Sequence, residues 1–122
     1  MKPQTEQWIE IADLDLEAAN RLVEAMLPFQ GLFFCQQAVE KLMKGLWIER
    51  KTSLPPRTHN LVQLATELDL SVPAELDDLL VRLTDLAVES RYPGKADQTP
   101  EMARIYLQRT TELYQWLRQL LS

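Results

Sequence analysis

The sequence predicts an all-α fold, an antiparallel up-down bundle of four long helices plus one short helix. Three observations predict it. Four long stretches carry apolar residues at helical spacing, and no stretch sustains the alternation of a strand. Only three glycines occur in 122 residues. Prolines fall at Pro28, Pro55-Pro56, Pro73, Pro93 and Pro100, where such stretches start or stop.

The first helix is expected from about Thr5 to Met26, with Trp8, Ala12, Ala19, Leu22, Val23 and Met26 facing inward. Asp15 falls near the centre of that stripe. A carboxylate there is costly unless it is paired. Asp15 therefore sits half-exposed at a gap in packing, or it orients an Arg or Lys of another helix. The second helix is expected from about Phe29 to Lys51. Cys35, Ala38, Val39, Leu42, Met43 and Leu46 form its apolar face, and Gln36, Gln37, Glu40, Lys41 and Lys44 form the opposite side. Phe33 and Trp47 break this division, because both project toward the polar half. Large aromatics placed there mark a dimer interface, or else another helix of the same chain covers them.

A loop with Leu54-Pro55-Pro56 leads to a short helix from His59 or Asn60 to Asp69. Asn60 with Gln63 fits a variant of the capping box, and Thr58 is an alternative cap. The next long helix runs from about Pro73 to Ser90, with Leu76, Leu79, Leu80, Leu83 and Ala87 inward. It closes at Arg91-Tyr92-Pro93-Gly94, where proline blocks continuation and glycine permits a turn. The last helix opens with Thr99 as N-cap and Pro100 in its first turn. Its inward stripe is Ala103, Tyr106, Leu107, Thr110, Leu113, Tyr114, Leu117 and Leu121.

The length suits one domain over residues 1–122. A net charge of -5 shows no basic face for non-specific nucleic-acid binding, although it leaves room for a local basic cleft. The lone Cys35 cannot form an intramolecular disulfide, points to a reducing compartment and suits the core. The first residues are polar and acidic, and the apolar runs fall far short of a membrane span, so a cytoplasmic protein without membrane association is expected. No phosphate loop, dinucleotide fingerprint, zinc spacing or HExxH is present, so neither cofactor nor metal is expected. Asp13/Glu17 and Asp77/Asp78 read as solvated helix faces rather than catalytic dyads.

One histidine, His59, bounds the remaining chemistry. With a single His and a single Cys, a self-contained Cys/His metal site cannot be built. Any Ser-His-Asp arrangement must use His59. Arg57 and His59 flank Thr58, and Arg91 and Tyr92 close the fourth predicted helix. Arg offers a planar fork of donors for phosphate or carboxylate, and Tyr stacks or donates a hydrogen bond. Arg57, His59, Arg91 and Tyr92 are the ligand-binding candidates, with Asp15, Glu40 and Lys41 in support and no catalytic residue assigned. Each has a structural alternative: Arg91 complements a helix dipole, Tyr92 packs under the loop, and His59 shapes a helix start.

Three segments, taken together, resemble the HEPN domain family: Phe34-Cys35-Gln36-Gln37-Ala38-Val39-Glu40-Lys41-Leu42-Met43-Lys44-Gly45-Leu46, then Pro56-Arg57-Thr58-His59-Asn60-Leu61, then Glu89-Ser90-Arg91-Tyr92-Pro93. Asp15-Leu16-Glu17-Ala18-Ala19 is similar to that family's first helix. The resemblance implies a bundle of four to five helices that forms a homodimer and associates with a small nucleotidyltransferase, often as a toxin–antitoxin-like pair. Many members are metal-independent RNases that carry Arg, four to six residues, then His. This sequence departs from that motif. The positions after Arg91 hold Ala96, Asp97 and Gln98, and the one histidine lies 32 residues upstream (91 minus 59). The resemblance therefore implies a nucleotide- or RNA-associated binding module with a nucleotidyltransferase partner. The alternatives are an RNase with a non-standard Arg/His site, or a purely structural interaction module.

Overall fold

Prolines and polar caps set the helix starts. The computed structural model describes residues 1–89 and 98–121. These form five helices: α1 (Pro3–Glu24), α2 (Pro28–Arg50), α3 (Leu61–Glu67), α4 (Ala74–Glu89) and α5 (Pro100–Gln119). Proline occupies the first turn of α1, α2 and α5, where its missing N–H has no intrahelical partner to lose. Thr99 caps α5 by accepting from the Met102 N–H. Asn60 caps α3 by accepting from the Val62 and Gln63 N–H groups. The expected capping box closes indirectly: the Thr58 hydroxyl accepts from the Asn60 N–H and donates to the Gln63 side chain. Asn60, not Thr58, is the cap, and His59 lies before the helix rather than in it.

The end of α1 is strained. Met26 has φ 64°, and the Leu27 N–H reaches back to the Leu22 carbonyl. This is a left-handed helix terminus, usually occupied by glycine. The sequence stripe placed Met26 inward, but the left-handed turn turns it out, and it is 56% exposed. Met26→Gly should raise stability by about 0.5–1 kcal/mol, because the steric cost of a side chain at positive φ exceeds the extra chain entropy of glycine. A urea titration reads this as a higher midpoint at unchanged slope.

α1 and α2 form an antiparallel pair joined by residues 25–27. At the far end, the Lys2 N–H and the Thr5 hydroxyl both donate to Glu49. Two glycines let the helices approach. A Cβ on Gly31 would stand 2.6 Å from Val23 Cγ2, and one on Gly45 would stand 3.1 Å from Trp8 Cβ. α5 runs antiparallel to α1, with Arg104 near Met26 and the Tyr114 hydroxyl donating to Asp13. Arg109 ties α5 to Asp78 and the Glu75 carbonyl of α4.

α2 is the central helix and packs against all four others. This corrects the two-sided division drawn from its sequence. Leu32, Cys35, Ala38, Val39, Leu42, Met43 and Leu46 are buried as the apolar pattern requires, but so are Gln36, Glu40 and Lys44. The turn of chain before α3 covers that side, and the polar groups there pair with one another. Leu76, Leu79, Leu80, Leu83 and Ala87 of α4 are buried, as are Ala103, Thr110, Leu113, Tyr114 and Leu117 of α5. Among the described residues, no helix is long and apolar enough to cross a membrane.

Candidate functional site

The site grows from one row of side chains on α2. Gln36, Glu40 and Lys44 are spaced at i, i+4 and i+8, so they stack along one stripe of the helix. The Glu40 side chain is 5% exposed and accepts from three donors. Gln36 Nε2 donates to Oε1 at 3.0 Å, Lys44 Nζ donates to Oε2 at 3.0 Å, and His59 Nδ1 lies 2.9 Å from Oε1. Burial alone would raise the Glu40 carboxyl. The hydrogen bonds from Gln36, His59 and Lys44, together with the Lys44 charge, outweigh it and hold the group below the usual carboxylate range.

That ionised carboxylate decides which histidine nitrogen carries the proton. An ionised carboxylate only accepts, so His59 Nδ1 must donate. Nε2 is then the free ring nitrogen, on a side chain 59% exposed. The backbone is pinned separately: Gln36 Nε2 also donates to the His59 carbonyl at 2.9 Å. Gln37 braces the arrangement by donating to Gln36 Oε1 at 2.7 Å. On the far side, the Leu61 N–H donates to Thr84 of α4 at 3.1 Å, which fixes the start of α3. The result is an imidazole tied at Nδ1 to a buried anion, on a side chain that is itself more than half exposed. An exposed Arg57 stands two positions before it.

Asp15 is buried and takes an ion pair from Lys41 Nζ at 2.5 Å. Of the two readings of its sequence position, the Asp that engages a basic residue of another helix is the one observed. This pair staples α1 to α2 one residue along from Glu40. Trp47 is covered by its own chain. It is 8% exposed, its indole N–H donates to Ser53, and Lys51 lies over its ring at 4.7 Å. Little of it remains for an interface with a second molecule. Phe33 is half-buried and meets Phe34 edge to face. Arg91 and Tyr92 lie outside the described residues.

Gln36 and Lys44 were missed as site residues because pattern reasoning assigns such groups to solvent. Their i, i+4 spacing around Glu40 was the available signal. Asp13, read as part of a solvated face, instead accepts from Tyr114, while Glu17 pairs with Arg21 and Asp78 with Arg109. Burial and the Asp13 carboxylate both push the Tyr114 hydroxyl up, so it is a structural donor. Burial pushes the Cys35 thiol to about 12, against a smaller opposing pull from the Thr110 hydroxyl, so this cysteine is not a nucleophile. No group of three or more His, Cys, Asp or Glu residues is gathered for a metal among the described residues.

A family model described as the HEPN domain matches residues 5–120. Two solved structures share the architecture. TT1696 from Thermus thermophilus is 22% identical, with 97% of this chain and 98% of that chain covered and a TM-score of 0.84. ST0689, described as an archaeal HEPN homologue, is 24% identical, with 100% of each chain covered and a TM-score of 0.78. At these identities the likeness is one of fold. No curated protein matches the chain.

Proposed function

The chain belongs to the HEPN family, and from that premise we propose that it is a nucleotide- or RNA-associated binding module rather than a nuclease. It holds a phosphate at the edge made by Arg57 and His59. It acts as a homodimer, with Phe33 at the interface, and partners a small nucleotidyltransferase in a toxin–antitoxin-like pair. Arg91 and Tyr92 are further ligand candidates from the sequence. The observation that carries the binding reading is the Glu40-held His59. A buried carboxylate ties down Nδ1 of a side chain that is 59% exposed, and Arg57, two positions earlier, is exposed as well. A guanidinium and an imidazole that also carries a proton on Nε2 are both donors suited to a phosphate.

A second reading draws on the same pair. A histidine oriented by a carboxylate is also how a general base is set up. Cleavage of RNA needs that base at the ribose 2′-hydroxyl and a second group on the phosphate. The family nucleases place Arg and His close together in sequence, and the positions after Arg91 hold Ala96, Asp97 and Gln98 instead. Structured and single-stranded RNA incubated with the protein in a metal chelator should therefore stay intact. Cleavage by wild type that disappears in His59→Ala would replace the binding reading with the enzymatic one. The partner is tested by co-expression with a small nucleotidyltransferase encoded beside this chain. Co-elution and mutual thermal stabilisation are expected, and independent elution removes the partner from the proposal.

A further inference from the structure

The outer face of α1 carries a second apolar stripe that the core does not use. Trp8 is half-buried, Ile11 is 45% exposed and Leu14 is 63% exposed. Spacings of three residues put them on one side of the helix. Toward the start of α1 this stripe forms one wall of a groove of about 340 Å³, whose other wall is Ile48 of α2 with Leu54 and Pro55 of the following loop. Ile11 also borders a second depression of about 330 Å³ that continues along α1 past Leu14. From Gln4 to Glu17 the two span ~20 Å at ~1.5 Å per residue, the length of three to four turns of a docked helix.

Acidic residues outnumber basic ones along the stripe. Glu6, Glu10, Asp13 and Glu17 are all exposed along this part of α1. The basic residues of the same segment stand at its two ends and are engaged: Lys2 bonds the Ile48 carbonyl, and Arg21 pairs with Glu17. An acidic rim repels nucleic acid and anionic lipid, and it attracts a cationic surface. An apolar groove that adjoins, through Ile11, a second depression lined by Leu14 and carboxylates is complementary to an amphipathic helix whose flanks are Lys and Arg. We infer that this face of α1 docks a basic amphipathic helix of a partner protein. Neither Arg57 nor His59 lines these depressions, and the inference does not depend on what those residues hold.

The test is calorimetric titration of the full chain with a synthetic peptide of roughly 14 residues, long enough to fill the groove as a helix. The peptide carries Leu at i, i+3, i+4 and i+7 and Lys on the flanks. Saturable binding is expected, together with a change in Trp8 fluorescence that Trp8→Phe removes. A scrambled peptide of the same composition should bind at least ~10-fold more weakly, and so should Leu14→Glu, as for loss of an anchoring contact. Glu6→Lys/Glu10→Lys should weaken binding and flatten its salt dependence. Leu14 is largely exposed, so its substitution leaves the fold intact, and unchanged far-UV circular dichroism checks this. The inference is overturned if the ordered peptide does not saturate, if the scrambled peptide binds equally, or if Leu14→Glu is without effect. A wild-type dimer that Leu14→Glu converts to monomer also overturns it, because the face then belongs to a second copy of this chain.

Discussion

Glu40→Ala is expected to lower the free energy of unfolding by about 3–5 kcal/mol, the cost of leaving a buried charge without its partner. Lys44 is the charge left behind: its side chain is 11% exposed and its ion pair is to Glu40. Gln36 loses one of its two acceptors, and His59 loses the group that orients it. The exposed Glu17–Arg21 pair is the comparison. Both its side chains are more than half exposed, and Glu17→Ala should cost no more than ~0.5 kcal/mol. Chemical denaturation at neutral pH separates the two.

The same carboxylate sets a pH dependence. Its folded-state value lies below its ordinary 4.5. A carboxyl of that kind stabilises the fold fully above its unfolded value, and loses that contribution as pH falls through the folded value. The stability gap between wild type and Glu40→Gln should therefore be largest near neutral pH and shrink as pH drops below 4.5. A gap that is constant or widens in acid would show that Glu40 does not act as a buried anion.

The helices that pack by one face were legible in the sequence. In α4, Leu76, Leu79, Leu80 and Leu83 follow the helical period, and in α5 Thr99 and Pro100 are a cap and a first-turn residue in series. α2 was legible only on its apolar side. Gln36, Glu40 and Lys44 look like a solvated stripe because a polar row carries no mark of what will lie over it. They become a buried cluster because the loop before α3 crosses them and because each supplies what the next lacks. Trp47 shows the same limit. Its cover comes from Lys51 and Ser53 just after the helix, a local fold-back that periodicity does not encode. His59 was singled out by being alone, but its partner could not be named, since 19 residues and a turn of chain separate it from Glu40.

In the proposed function, Glu40 holds His59 so that the imidazole, with Arg57, receives a phosphate. ATP titration of wild type, Arg57→Ala, His59→Ala and the double variant tests it most directly. His59→Ala is a fair probe, because the Gln36 bond to the backbone carbonyl of residue 59 does not need the imidazole. Glu40 also keeps Gln36 and Lys44. Wild type should show saturable binding, and each single substitution should weaken it by ~10-fold or more, the value of one charge-assisted hydrogen bond. The double variant should lose ~100-fold if the two groups act on one phosphate independently. Equal affinity in all four proteins, or no saturation by wild type, would contradict a phosphate site at Arg57 and His59.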